Sequence, residues 1–174
     1  GYDRNTNALQ SLGQGSADAT NGIALSYWTG FYSGIAKCNY LLQNMNRGEA
    51  NVDPATFAQI KAEARFLRAL FYSYLIELYG DVPLITQVQS LADSNQPRTS
   101  KSQVADFIIK ELTEAAAVLP ATNNPTSGRA SRGAALAIKA RTALYNERWT
   151  DAISASYSLR STWLVLVVSI RSKD

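Results

Sequence analysis

Five residues near the start of the chain have the side chains that a sugar site would use. Tyr2, Asp3, Arg4, Asn5 and Asn7 combine an aromatic face with carboxylate, guanidinium and amide groups. A ring of this kind stacks on the apolar face of a sugar, while the polar groups hydrogen-bond to hydroxyls. Tyr2, Asp3, Arg4 and Asn5 are therefore the candidate ligand-binding residues, although a surface loop or chain end has the same composition. A second set is acidic. Asp106, Glu111 and Glu114 share a helical segment, and paired carboxylates can perform general acid–base work. On a polar helix face they are expected to be solvated instead.

The chemistry left out is equally informative. The 174 residues contain no histidine, which removes His-based proton transfer, the Ser-His-Asp and Cys-His arrangements and most zinc sites. No catalytic residue, metal or cofactor is expected, and the chain does not read as an enzyme. Cys38 is the sole cysteine, so no intrachain disulfide forms. With 17 Lys and Arg against 14 Asp and Glu, the chain is only mildly basic, and no nucleic-acid partner is expected. Arg129, Arg132, Lys139, Arg141 and Arg148 gather around Glu147 and read as a solvated face. No apolar run approaches the roughly 20 residues of a membrane span, and no signal segment stands at Gly1.

The elements that must position these residues are helices. Residues 1–25 are polar and rich in Gly, Asn, Ser and Thr, which predicts an irregular loop. Trp28, Phe31, Ile35, Cys38, Leu42 and Met45 recur at helical spacing and predict a first helix from Ser26 to about Asn46. Asn39, on its apolar side, is expected to hydrogen-bond a helix end or loop backbone. Asp53 as N-cap and Pro54 at the first helical position open a long central helix that Gly80 and Pro83 end. Its inward stripe is expected to be Phe57, Ile60, Ala64, Leu67, Phe71, Tyr74 and Leu78. Arg68 needs a partner in so apolar a helix, a carboxylate or helix-end carbonyls, with Glu63 and Glu77 the acids on that helix. After an extended piece from Pro83 to Val88, Ser100 and Gln103 form a capping box, and a third helix ends at Leu119-Pro120. Its inward residues are expected to be Val104, Phe107, Ile108, Leu112, Ala115 and Leu119. Ser131 caps a fourth, Ala-rich helix, and a turn at 146–148 leads into a fifth.

The run Glu63-Ala64-Arg65-Phe66-Leu67-Arg68-Ala69, then aromatics, then Leu78-Tyr79-Gly80-Asp81-Val82-Pro83-Leu84, resembles the signature of the SusD/RagB family. Trp28 to Leu42 and Arg98 to Leu119-Pro120 are similar to the helices flanking that signature. Ala140-Arg141-Thr142-Ala143-Leu144-Tyr145 and Trp149-Thr150-Asp151-Ala152 resemble a tetratricopeptide-type helix pair. The resemblance covers roughly residues 26–158. It implies an all-α fold of antiparallel, tetratricopeptide-like helix pairs, about five helices, after an irregular N-terminal loop.

The family consists of nutrient-binding lipoproteins on the outer membrane of Bacteroidetes. They face outward as lids on a SusC-like TonB-dependent transporter, and commonly bind glycans. The resemblance thus implies capture of an oligosaccharide or other nutrient, with that transporter as partner. The membrane link would be a lipid anchor on a cysteine upstream of this chain. In the family the ligand groove draws on loops before the first helix here and on later sequence, so its ligand residues are not carried over. An interaction scaffold without a ligand site is the alternative.

Residues 159–174 depart from the resemblance. Trp163 to Val168 is an unbroken, Val-rich apolar run that reads as a buried strand or an aggregation-prone segment. This tail is expected to be a truncated or frame-shifted end.

Overall fold

The structure, a computed structural model, describes residues 10, 11, 13–16, 18, 20–90, 93, 95–121 and 128–171, with 162–171 by backbone alone. Among these residues the architecture is all-helical. Five helices, α1 (Gly22–Asn44), α2 (Pro54–Tyr79), α3 (Lys101–Val118), α4 (Arg132–Tyr145) and α5 (Trp149–Arg171), follow one another, with a 3-10 turn at Met45–Asn51. Each packs chiefly on its neighbours in sequence, and α2 also meets α4. This is the stacked helix-pair arrangement that the sequence implies.

Local chemistry sets most of the boundaries. The Asp53 carboxylate accepts from Thr56 N at 2.9 Å, Ser100 Oγ from Gln103 N at 3.3 Å and Ser131 Oγ from Ala134 N at 3.2 Å. Helix α1 begins four residues before Ser26. Asn21 Oδ1 accepts from Ile23 N and Ala24 N, and Tyr79 Oη at the far end of α2 donates to Ala24 O at 2.5 Å. A tertiary bond thus fixes a first turn that the polar composition conceals.

After α2, Gly80 takes a φ of 70° and reverses the chain. Asp81 Oδ1 then accepts from Lys101 N at 2.7 Å at the start of α3, and its carbonyl accepts from Arg98 Nη1 at 2.5 Å. Val82 and Thr99 form an isolated antiparallel bridge. The Gly-Asp-Val-Pro sequence therefore ties the end of α2 to the beginning of α3.

The core lies along α2 and α3, where Tyr72, Leu75, Ile76, Ile108, Leu112 and Leu119 are buried with Ile35 of α1. The inward face of α3 matches its apolar pattern. That of α2 is rotated: Leu67, Tyr74 and Leu78 are exposed, whereas Ala62, Phe66, Ala69, Tyr72, Ser73 and Ile76 are buried. A helix apolar nearly all round offers two stripes, and only the packing partner decides between them. The stretch Trp163–Val168 lies within α5 and is helical rather than a strand. Its Val content favours strands only where a sheet is available, and here it continues an established helix.

Where α1 crosses α2, a Cβ on Gly34 would stand 2.4–2.9 Å from the Phe71 ring, itself packed against Phe31. Gly34→Val is expected to destabilise the fold by about 1–3 kcal/mol through overpacking. Urea unfolding checks it, and an unchanged midpoint would show that the two helices do not pack this closely.

Candidate functional site

The side chains singled out by the signature converge on one place, beneath the connector between α2 and α3. Arg68 is buried, with Nε and Nη2 donating to Glu111 Oε2 at 3.0 and 2.5 Å. Its Nη1 donates to Asn39 Oδ1 at 2.8 Å and to Thr86 O at 3.2 Å. Arg65 pairs with Glu111 Oε1 at 3.2 Å and with Glu114. Phe107 lies beneath the Arg68 guanidinium, 5.4 Å from the ring centre.

Glu111 is only 2% exposed, which corrects the solvated reading of that carboxylate. The signal was present in the sequence. Glu111 sits three residues after Ile108 and four before Ala115, on the buried stripe of α3. Glu63 and Glu77 partner other cations, Arg129 and Arg141.

The remaining polar atoms of this cluster hold the connector. Asn39 Nδ2 donates to Ile85 O at 3.0 Å and Gln87 O at 3.3 Å, as expected for a polar residue facing loop backbone. Tyr32 Oη donates to Pro83 O at 2.8 Å. Tyr72 Oη donates to Ile85 O at 3.0 Å and accepts from Ile85 N at 2.7 Å. The connector thus satisfies its backbone on side chains of α1 and α2, which explains why the extended piece from Pro83 to Val88 joins no strand. Burial pushes the Tyr72 phenol up to about 12 and raises that of Tyr32 as well. Burial likewise raises the Cys38 thiol, whose thiolate is then disfavoured.

The basic residues of the later half do not form one solvated face. Arg129 grips Glu63 at 2.7–2.8 Å, and Arg132 Nε donates to Ala116 O at 3.1 Å. Arg148 reaches Asp106 at 2.7 Å, while the buried Lys139 pairs with Asp151 at 3.2 Å. Each of these four ties its own segment to another element. Among the described residues no three His, Cys, Asp or Glu gather to hold a metal ion. The candidate sugar contacts Tyr2, Asp3, Arg4 and Asn5 lie outside the described residues.

One surface was not legible as such. Between α4 and α5 runs an open groove of about 640 Å3, lined by Leu144, Tyr145, Trp149, Ile153 and Tyr157 with Arg141 and Arg160 at its sides. Trp149, Ile153 and Tyr157 recur every fourth residue along α5, a spacing that in sequence alone reads as core. They are instead 57–68% exposed. Arg141 stands 5.5 Å from the Tyr74 ring centre, and its Nη2, buried, meets no hydrogen-bond partner among the described residues. From Tyr74 a stack of rings continues through Phe31 at 5.4 Å to Tyr27 at 5.9 Å. No described helix is long and apolar enough to cross a membrane.

Comparison with known proteins agrees with this architecture. The SusD-like_3 family model, described as starch-binding and associating with the outer membrane, matches residues 3–144. A SusD-like protein of Bacteroides ovatus is 32% identical over 126 residues, 71% of this chain and 23% of its own. A SusD-like carbohydrate-binding protein of Bacteroides fragilis superposes with a TM-score of 0.76 at 32% identity, over 84% of this chain and 29% of its own. A laminarin-binding SusD-like protein superposes with a TM-score of 0.72 at 31% identity, over 77% of this chain and 29% of its own. The chain thus spans about a quarter of the length of the curated relatives it matches, 23% and 29% of two of them.

Proposed function

The chain belongs to the SusD-like family, whose members are carbohydrate-binding and associate with the outer membrane, and we propose from this that it takes part in capturing a glycan at the bacterial surface and delivering it to a TonB-dependent transporter. The observation that carries this reading is the family match over residues 3–144, which includes the signature cluster. Capture, not turnover, is the chemistry that suits the residues present. In the described part, the buried carboxylate Glu111 is committed to Arg65 and Arg68.

In this reading the helix pairs are the rigid support, and the segment containing Tyr2, Asp3, Arg4 and Asn5 meets the sugar. The ring stacks on the glycan and the polar groups pair with its hydroxyls. In the cell a lipid anchor upstream of this chain holds the protein at the membrane.

Thermal unfolding with a panel of oligosaccharides, laminarin fragments among them, tests the binding step. Ligand at ten times its Kd stabilises the folded form by about 1.4 kcal/mol and raises the midpoint by a few degrees. Tyr2→Ala and Asp3→Ala are expected to abolish that rise and leave the unliganded midpoint in place. An unchanged midpoint across the whole panel would count against sugar binding by these residues. Co-purification with a co-expressed TonB-dependent transporter checks the partnership, and its absence would remove that part of the reading.

A further inference from the structure

We propose that the open pocket between the end of α1, helix α2 and the connector binds the charged substituent, a carboxylate or a sulfate ester, of an acidic saccharide. The pocket lies beside the signature cluster and measures about 460 Å3, within the range of small-molecule sites. Lys61, Arg65 and Arg68 follow one another at spacings of four and three, which sets three cations in a row on one face of α2. All three line the pocket, and no Asp or Glu does. Glu111 and Glu114 of α3 compensate Arg65 and Arg68. Lys61 is left over: it is exposed and makes no ion pair or hydrogen bond among the described residues.

The hydrogen bonds already made decide what else the pocket offers. Gln43 Oε1 accepts from Val88 N at 3.1 Å, so its NH2 is the end left for a ligand. Buried Asn39 is fully committed to Arg68 and to the Ile85 and Gln87 carbonyls, and forms a fixed floor. The Thr86 hydroxyl and the Gln87 amide, both exposed, make no hydrogen bond among the described residues, and each can donate and accept. One uncompensated cation therefore stands beside neutral donors and acceptors. A bare inorganic anion would use the donors and leave the acceptors idle. A neutral sugar would leave Lys61 without a counter-charge. Nucleic acid needs a track of cations for successive phosphates, and here one is uncompensated. A saccharide with an acidic substituent uses the whole set, its charge on Lys61 and its hydroxyls on the amides and Thr86. That the ligand is a saccharide rests on the glycan-capture reading; the pocket adds the class of glycan and contacts besides Tyr2, Asp3, Arg4 and Asn5.

Calorimetric titration of this chain tests the assignment, with an oligogalacturonate, its neutral methyl ester, a sulfated oligosaccharide and inorganic sulfate as ligands. At least one charged saccharide is expected to bind roughly fivefold or more tightly than the methyl ester, the scale of a hydrogen bond to a charged group. That binding should weaken as salt rises from about 0.05 to 0.3 M. Lys61→Met, at an exposed position without a partner, should remove most of the preference for charge. Gln43→Glu keeps an acceptor for Val88 N but sets a carboxylate against the ligand, and should abolish binding of the charged saccharide. Unfolding midpoints close to the parent's show that both variants fold. Equal affinity for the oligogalacturonate, the sulfated oligosaccharide and the methyl ester would overturn the proposal, as would binding of the charged ligand unchanged in both variants. Inorganic sulfate binding as tightly as the saccharides would reduce the pocket to an ion site and overturn it too. So would no binding of either charged saccharide at about 10 mM; neutral oligosaccharides that still raise the unfolding midpoint would then leave glycan capture standing without this pocket. Charged saccharides that bind through Lys61 while Tyr2→Ala and Asp3→Ala change nothing would support the pocket and remove those two residues from the capture reading.

Discussion

Replacing Glu111 with alanine is expected to cost about 3–5 kcal/mol of folding stability, the usual penalty for removing one member of a buried ion pair. The carboxylate receives Arg68 Nε and Nη2 on one oxygen and Arg65 Nε on the other. Arg68 is 6% exposed and cannot turn to water when its partner goes. The loss would therefore fall on the charge left behind more than on the contact removed. Glu111→Gln should cost somewhat less, because the amide oxygen still accepts a hydrogen bond, but it leaves the Arg68 guanidinium without a counter-charge while Arg65 keeps Glu114. The double replacement Arg68→Met with Glu111→Leu should recover a large part of the loss, since it removes both buried charges together. Denaturant unfolding of the three variants decides the matter. A cost below about 1 kcal/mol for Glu111→Ala would mean that water reaches the pair. Asp106→Ala provides the contrast: its partner Arg148 lies at the surface, and the midpoint should hardly move.

How far the sequence foretold this depends on the range of the forces involved. Helix ends were legible because capping is local. Asp53-Pro54, Gly80, Ser100 with Gln103, Leu119-Pro120 and Ser131 each act within a turn of their own position, and the helices begin or end there. The start of α1 was not, because Tyr79 holds its first turn from 55 residues away. Arg68 calls for a carboxylate and finds one, but not Glu63 or Glu77 on its own helix: Glu111 arrives from α3, 43 residues on. Periodicity nevertheless marks Glu111, since a carboxylate on an apolar stripe is either an error of phase or half of a buried pair. The groove is the opposite case. Tyr145, Trp149, Ile153 and Tyr157 have the pattern of core residues, and no local rule tells an apolar stripe already covered from one still open. The candidate contacts Tyr2, Asp3, Arg4 and Asn5 rest on residue chemistry alone and lie outside the described residues.

Tyr72→Phe is expected to loosen the connector while leaving the core filled. The hydroxyl is the shared partner of both backbone groups of Ile85, donating at 3.0 Å and accepting at 2.7 Å. Its removal leaves an amide and a carbonyl to find water at a half-buried position, at a cost of about 1–3 kcal/mol near neutral pH. The pH dependence separates this from a simple packing defect. Burial raises the folded-state phenol to about 12, above its ordinary value near 10. The unfolded chain therefore loses this proton first as pH rises. The associated stability is complete below pH 10 and is lost between pH 10 and 12, at up to about 1.4 kcal/mol per pH unit. Tyr32, also raised by burial, adds to the loss in the same sense. In Tyr72→Phe the first of these contributions is absent. Its stability should decline less steeply above pH 10, so that a variant weaker than the parent at pH 7 approaches it by pH 12. Urea unfolding of both proteins across pH 7–12 measures the gap. Parallel curves over that range would show that Tyr72 is not the group whose ionisation drives the alkaline loss, and would return the effect of the substitution to the two Ile85 hydrogen bonds alone.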